Sequence, residues 1–138
     1  MKKQRFVLLG LGLLLAATSA FSQTVVSKAK IPFDFIVAGK TLPAGEYAIQ
    51  KLELAESTLA IRSSDLRTQM MAQSNRCEAL NAPSEGKLVF HKYGEQYFLA
   101  QIWSAGNPSG RELPKSQREV EVAQDYTVQN VIIVADLR

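Results

Sequence analysis

Side chains that commonly carry catalysis or hold metal ions are scarce in this chain of 138 residues, which contains one cysteine and one histidine. Cys77 has no partner for a disulfide within the chain, so stability has to come from a hydrophobic core. The residue is therefore expected either to be a free thiol or to link two chains as a Cys77–Cys77 dimer. One cysteine and one histidine do not supply the ligand spacing of a metal site. We therefore expect no metal and no cofactor.

An excess of one charge is also lacking once the N-terminus is set aside. The chain has 16 Lys and Arg against 13 Asp and Glu. Three of the cations, Lys2, Lys3 and Arg5, lie in its first five residues. The remainder is neutral, and its aromatic residues do not alternate with basic ones. These features predict no binding of nucleic acid.

Residues 1–22 have the layout of a secretory signal peptide, which predicts export to the periplasm or outside the cell. A positive segment is followed by an apolar run at 6–17 and by small residues at 18–22. The run is shorter than the roughly 20 residues of a membrane-spanning helix, which favours cleavage over a retained anchor. Cleavage after Ser22 would leave a single β-rich domain at 23–138, and cleavage after Ala20 also fits. No later run is as long, so we expect no stable membrane anchor after cleavage.

The first part of the domain has the pattern of β-strands. Ile31, Phe33, Phe35 and Val37 alternate with other residues, which predicts one strand across 25–37. Pro32 lacks a donor for the ladder, so this strand is expected at a sheet edge. Turn signals then separate predicted strands at 46–54 and 59–63.

Residues 64–82 fit two interpretations. Leu66, Met70, Cys77 and Leu80 fall at helical spacing. Residues 68–74 alternatively form a strand that pairs with 59–63. The periodicity of the segment slightly favours the helix and leaves the strand as the alternative.

The strongest local pattern is a hairpin at 87–103. Gly94 and Glu95 form its two-residue turn, with Gly94 at the position that a type II′ turn reserves for glycine. This register sets Phe90 opposite Leu99, Val89 opposite Ala100, and His91 opposite Phe98. Both faces carry large apolar groups, which predicts a place within a sheet that is covered on each side.

The C-terminal part is expected to contain a polar loop, a short helix and a last strand. Residues 104–114 are rich in Gly, Pro, Asn and Ser, which is typical of a loop. Ser116 and Glu119 have the spacing of a capping box, in which each side chain bonds the other's backbone, and predict a helix from Gln117 to Asp125. The alternative there is a strand, because Val120 and Val122 alternate with acidic residues. The unbroken apolar middle of 128–137 predicts a strand buried on both faces.

These elements predict an all-β fold of about seven strands with one short helix near the C-terminus, arranged as a small antiparallel β-sandwich or barrel. Three segments resemble a group of small, uncharacterised exported bacterial proteins: IPFDF at 31–35, GKTLPAGEY at 39–47 and KLVFHKYGEQYFL at 87–99. That group carries P-F-x-F, L-P-A-G-x-Y and K-L-V-F-H-x-Y-G segments. The resemblance implies export and a β-rich fold, and it implies no activity. In the group the segment matching 64–74 is strand-like with a D-G turn, so we predict a strand there, although Leu66 replaces that glycine.

Function is predicted from what the chain offers for binding. Four amphipathic aromatic residues are candidates for a ligand or partner surface: Tyr47, Tyr93, Tyr97 and Trp103. Counted by alternation, Tyr97 and Trp103 share one face of their strand. We predict an exported, non-enzymatic envelope β domain with a binding or structural role and an unknown envelope partner. The alternatives are a small β-barrel that carries an apolar ligand and, ranked last, a hydrolase that uses His91.

Overall fold

The computed structural model describes residues 25–52 and 55–135 of the chain; the predicted signal peptide at 1–22 lies outside these residues. The described residues form eleven strands and one helix. The strands are β1 (Val25–Ile31), β2 (Phe35–Val37), β3 (Lys40–Leu42), β4 (Gly45–Leu52), β5 (Ala55–Ser63), β6 (Gln69–Gln73), β7 (Asn75–Glu78), β8 (Gly86–Tyr93), β9 (Gln96–Trp103), β10 (Ser109–Glu112) and β11 (Gln129–Ala135), and the helix is α1 (Gln117–Ala123).

Two sheets pack face to face over one hydrophobic core. The four-stranded sheet has the order β1-β4-β5-β6. The seven-stranded sheet has the order β11-β8-β9-β10-β7, with β2 between β9 and β3. All pairings are antiparallel except the short parallel contact of β2 with β9. The all-β class with one short helix is therefore confirmed, while the barrel alternative is wrong, because the two sheets do not close into one.

The predicted strand across 25–37 is two strands in different sheets. β1 ends at Ile31, and the chain crosses to the other sheet before β2 begins at Phe35. Pro32 cannot continue the ladder, and the Asp34 carboxylate accepts a hydrogen bond from the backbone N–H of Ala44 at 2.9 Å, which holds the crossing. β1 does lie at a sheet edge, as predicted.

Aromatic side chains from both sheets fill the core. The Phe35 ring meets the rings of Tyr47 and Phe90 edge to face, with centroids 5.1 and 5.6 Å apart. Phe33 stacks on Tyr97 with the ring centroids 3.7 Å apart. Edge-to-face and stacked contacts of this kind add to the free energy of burying the rings.

Residues 69–73 form a strand, which confirms the strand interpretation of the ambiguous segment. β6 pairs with β5, with Met70 opposite Ile61. The turn before it places Leu66 at a φ of 64°, in the left-handed region where a side chain is strained. The turn thus keeps the backbone shape that a glycine would adopt freely.

The β8–β9 hairpin has the predicted turn, and Gly94 adopts a φ of 62° there. Phe90 lies opposite Leu99 as predicted, but Val89 lies opposite Gln101 rather than Ala100. The predicted register is wrong from that point because β9 contains a β-bulge, which adds one unpaired residue. The hairpin is central in its sheet, with the core on one face and α1 against the other face near its turn.

Two parts of the C-terminal region differ from prediction. The polar segment 104–114 contains β10, and α1 ends at Ala123 rather than Asp125. Short strands such as β7 and β10, with four residues each, show too little alternation to be recognised from sequence. Within 25–52 and 55–135, no helix is long and apolar enough to cross a membrane.

Candidate functional site

A buried cluster of ionisable side chains joins α1 to β8. The Glu119 side chain points from the first turn of α1 onto the sheet and is 4% exposed. Its Oε2 lies 2.9 Å from His91 Nδ1 and accepts a hydrogen bond from the Tyr93 hydroxyl, also at 2.9 Å. Residues two apart on a strand share a face, so His91 and Tyr93 both reach the helix.

Only half of the predicted capping box is present. The Ser116 hydroxyl accepts a hydrogen bond from the backbone N–H of Glu119 at 3.2 Å, as the pattern indicated. The Glu119 carboxylate instead turns away from the helix terminus toward His91 and Tyr93. The sequence therefore revealed the helix start but not the role of its glutamate.

Burial sets the electrostatics of the cluster. Desolvation, followed by the hydrogen bond to Glu119 and the negative charge of that carboxylate, raises the pKa of Tyr93 to about 12. Tyr93 therefore keeps its proton at physiological pH, stays neutral and donates a hydrogen bond to the carboxylate. A neutral donor of this kind stabilises a buried carboxylate and is a poor nucleophile.

A histidine oriented by a carboxylate is also the base half of a catalytic triad, so its other neighbours decide what it can do. The residues directly opposite His91 on the adjacent strands are Asn130 and Phe98, neither of which is a nucleophile. Cys77 is on β7, three strands away from β8, or about 14 Å at normal strand spacing. Burial raises the pKa of Cys77 and disfavours its thiolate. The structure thus does not bring Cys77 and His91 together.

The four predicted surface aromatics lie in separate places. Tyr47 is buried between the sheets, with its hydroxyl donating to the Pro43 carbonyl at 2.7 Å. Tyr93 is buried on the opposite side of its sheet, against α1. Tyr97 is half-buried at the core, and Trp103 is buried. The structure does not gather these side chains into one surface.

The interpretation that Tyr97 and Trp103 share a face is wrong, and the bulge in β9 is the reason. Leu99 and Ile102 both face the core although they are three residues apart. The alternation of β9 therefore reverses between them, and Trp103 faces away from the side on which Tyr97 packs.

The clearest exposed apolar surface is on β11, and sequence reasoning missed it. Ile132 is 55% exposed and Val134 is 59% exposed, while Val131 and Ile133 pack against the core. We call Ile132 and Val134 the β11 outer face. The prediction that this strand is buried on both sides is wrong, because no described element covers Ile132 and Val134 on the face that points away from the core.

No charged side chain of β11 lies at this edge, which runs beside β1 of the other sheet. The seven residues of β11, QNVIIVA, include no lysine, proline or acidic residue. Edge strands usually carry such residues, which discourage pairing with other chains. Tyr126 and Val128, just before β11, are also 53% and 47% exposed. The lack of charge was visible in the sequence, but the exposure depended on which strands are neighbours.

Comparison with known proteins does not identify a relative. No family model matches the chain, and neither a curated protein nor a solved structure is significantly similar to it. We therefore infer its function from its own residues.

Proposed function

We propose that the chain is an exported, non-enzymatic β domain of the bacterial envelope that binds a partner protein through the β11 outer face. The observation that carries this proposal is the exposure of Ile132 and Val134 on an uncharged edge strand. The signal-peptide pattern at 1–22 supports export.

The side-chain chemistry of the β11 outer face favours a protein partner. Exposed apolar groups that adjoin one another cost free energy in water and are typical of interaction surfaces. Ile132 and Val134 are β-branched, so they lose little conformational freedom when a partner covers them. The glutamine and asparagine that open β11 provide a polar rim, which is also usual at protein interfaces.

The packing of the interior supports this function over the carriage of an apolar ligand. A carrier of that class needs an internal cavity lined by aromatic side chains. The rings of Phe33, Phe90 and Tyr97 contact one another instead, with centroids 5.0 and 3.7 Å apart. The aromatic residues of the core therefore fill the space that such a ligand would occupy.

The proposal assigns no reaction to His91. Its Nδ1 is engaged by Glu119, and its strand neighbours supply no nucleophile. Tying α1 to the sheet accounts for both the burial of Glu119 and its two hydrogen bonds.

Site-specific photo-crosslinking in envelope preparations tests the proposal. A photoreactive amino acid at position 132 is expected to give a protein adduct of defined mass, and the same group at position 71 is not. Met71 is a matched control, because it is 60% exposed on β6, an edge strand of the other sheet.

Introducing a positive charge into the β11 outer face then tests whether the same surface is needed for the adduct. Val134→Lys should abolish the adduct formed at position 132, while Met71→Lys should leave it unchanged, with both variants keeping the wild-type circular dichroism spectrum. Equal adducts at 71 and 132, or an adduct that survives Val134→Lys, would contradict the proposal.

A further inference from the structure

A second candidate site lies at the opposite edge of the seven-stranded sheet from β11. A surface pocket of about 240 Å³ opens where β7 and β10 meet the end of β4. It is lined by Lys51, Arg76, Asn107, Ser109, Gly110 and Arg111. Three cationic residues thus line one small and strongly polar pocket.

The register of β7 and β10 places two of these cationic residues at opposite positions of the strand pair. Arg76 lies directly opposite Arg111 in the antiparallel pair. Like charges at directly opposite positions destabilise a sheet unless an anion compensates them. The neighbouring pair on the same face is Glu78 opposite Ser109, so Glu78 supplies one negative charge. With Lys51 included, the described side chains leave two positive charges uncompensated around the pocket.

Hydrogen bonds hold the two arginines in place while leaving donors for a ligand. Arg111 donates from Nε to the Ser74 hydroxyl at 3.0 Å and from Nη2 to the Ser74 carbonyl at 2.9 Å. Arg76 donates from Nε to Glu78 at 2.8 Å and from Nη2 to the Ser109 hydroxyl at 3.0 Å. Among residues 25–52 and 55–135, neither Nη1 group has a hydrogen-bond partner, which leaves both groups for a further acceptor.

The loop before β10 adds a neutral donor. The Asn107 side-chain oxygen accepts a hydrogen bond from the backbone N–H of Ser109 at 2.9 Å. This bond orients the amide and leaves its NH₂ group as a donor at the pocket. Donors that are fixed before a ligand arrives lose less entropy when it binds.

We propose that this pocket binds a phosphate group, either as inorganic phosphate or as a phosphomonoester. A phosphomonoester carries about −1.5 to −2 charges at neutral pH, which matches the uncompensated charge of the pocket better than a carboxylate does. Arginine forms paired hydrogen bonds with phosphate oxygens, and both Arg76 and Arg111 line this pocket. The volume of about 240 Å³ is below the range of pockets for drug-sized molecules, so it suits a compact head group.

Isothermal titration calorimetry of the purified chain at low ionic strength tests this proposal. The probes are inorganic phosphate, glycerol 3-phosphate and vesicles of phosphatidylcholine with or without phosphatidic acid. Saturable binding of at least one phosphate probe is expected. The probe that binds most tightly identifies the source of the phosphate group.

Variants locate the binding in the pocket. Lys51→Gln and Arg76→Gln should each weaken it about tenfold or more, because each removes a charge-assisted hydrogen bond. Lys28→Gln removes the same charge from an exposed position on β1 and should leave binding unchanged. Both pocket variants keep the Arg111–Ser74 contacts, and an unchanged melting temperature without phosphate checks their fold. Failure of every phosphate probe to bind, or equal weakening by Lys28→Gln, would overturn the proposal.

Discussion

The Tyr93 hydroxyl donates a hydrogen bond to the buried Glu119 carboxylate at 2.9 Å, and this contact fastens α1 to the end of β8. Tyr93→Phe removes the donor and leaves the carboxylate with His91 as its remaining partner. We expect the free energy of unfolding to fall by about 1–3 kcal/mol, measured by urea denaturation. Tyr126→Phe alters a half-exposed tyrosine and should change the free energy of unfolding by less than about 0.5 kcal/mol. Equal effects of the two substitutions would contradict a role for the contact.

The same tyrosine predicts a loss of stability at alkaline pH. Burial and Glu119 raise the pKa of Tyr93 from 10.0 to about 12 in the folded protein. Below pH 10 the Tyr93 hydroxyl keeps its proton in both the folded and the unfolded protein, so its contribution to the free energy of unfolding is complete. Between pH 10.0 and about 12 the unfolded state loses the proton first, so stability falls as pH rises. The stability difference between wild type and Tyr93→Phe should therefore narrow across this range, measured by urea denaturation at each pH. Parallel pH profiles would show that Tyr93 is not responsible.

Leu66 carries backbone strain that glycine would relieve. Its φ is 64°, and its side chain is 68% exposed, so it contributes little packing. We expect Leu66→Gly to raise the free energy of unfolding by about 0.5–1 kcal/mol, because the relief of strain exceeds the added entropy of the unfolded chain. Leu80 is also exposed but lacks a positive φ, so Leu80→Gly should not stabilise the protein. Thermal denaturation of both variants compares them directly.

Ser27 places an unpaired hydroxyl inside the protein. It is 1% exposed, and its Oγ has no hydrogen-bond partner among the described residues. Ser27→Ala should increase the free energy of unfolding by about 1 kcal/mol, because the desolvated hydroxyl is removed. Ser63 provides a control of opposite sign, since its hydroxyl donates to Asp65 at 2.6 Å and accepts from the Thr68 backbone at 3.0 Å. If both alanine variants are destabilised in chemical denaturation, the account of Ser27 fails.

Gly110 allows β10 to pass close to the indole of Trp103. A Cβ atom at this position would lie 2.6 Å from Trp103 Cε3. Gly110→Ala should therefore destabilise the fold by about 1–3 kcal/mol and shift the fluorescence of the single tryptophan. Gly45→Ala is the matched control, since its new Cβ would meet Tyr47 at an ordinary 3.7 Å. An unchanged emission spectrum in Gly110→Ala would contradict the close approach.

Local patterns predicted the elements whose shape is set by nearby residues. The β8–β9 turn follows from Gly94, and the start of α1 follows from Ser116. Both depend on a few consecutive residues that favour one backbone conformation. At β6 the periodicity of the residues left a helix open, and the strand prediction there is confirmed by the pairing of β6 with β5.

Features that depend on distant neighbours were not predictable in this way. The bulge in β9 reversed the faces of Tyr97 and Trp103, because one added residue inverts every later position. The exposure of Ile132 depends on which elements cover the outer face of the sheet, which no property of β11 itself determines. Arg76 and Arg111 meet only because β7 pairs with β10.

The pairing of β11 with β8 also sets the order in which the protein can be completed. β8 begins at Gly86 and lies opposite residues 129–135, so one side of a central strand is supplied by the last part of the chain. During synthesis from the N-terminus, a nascent chain that stops before residue 129 leaves the backbone groups along this side of β8 without their β11 partners. This sheet can therefore be completed only after residues 129–135 have been synthesised. A chain terminated before residue 129 would expose unpaired backbone groups of β8, to which another strand could bind.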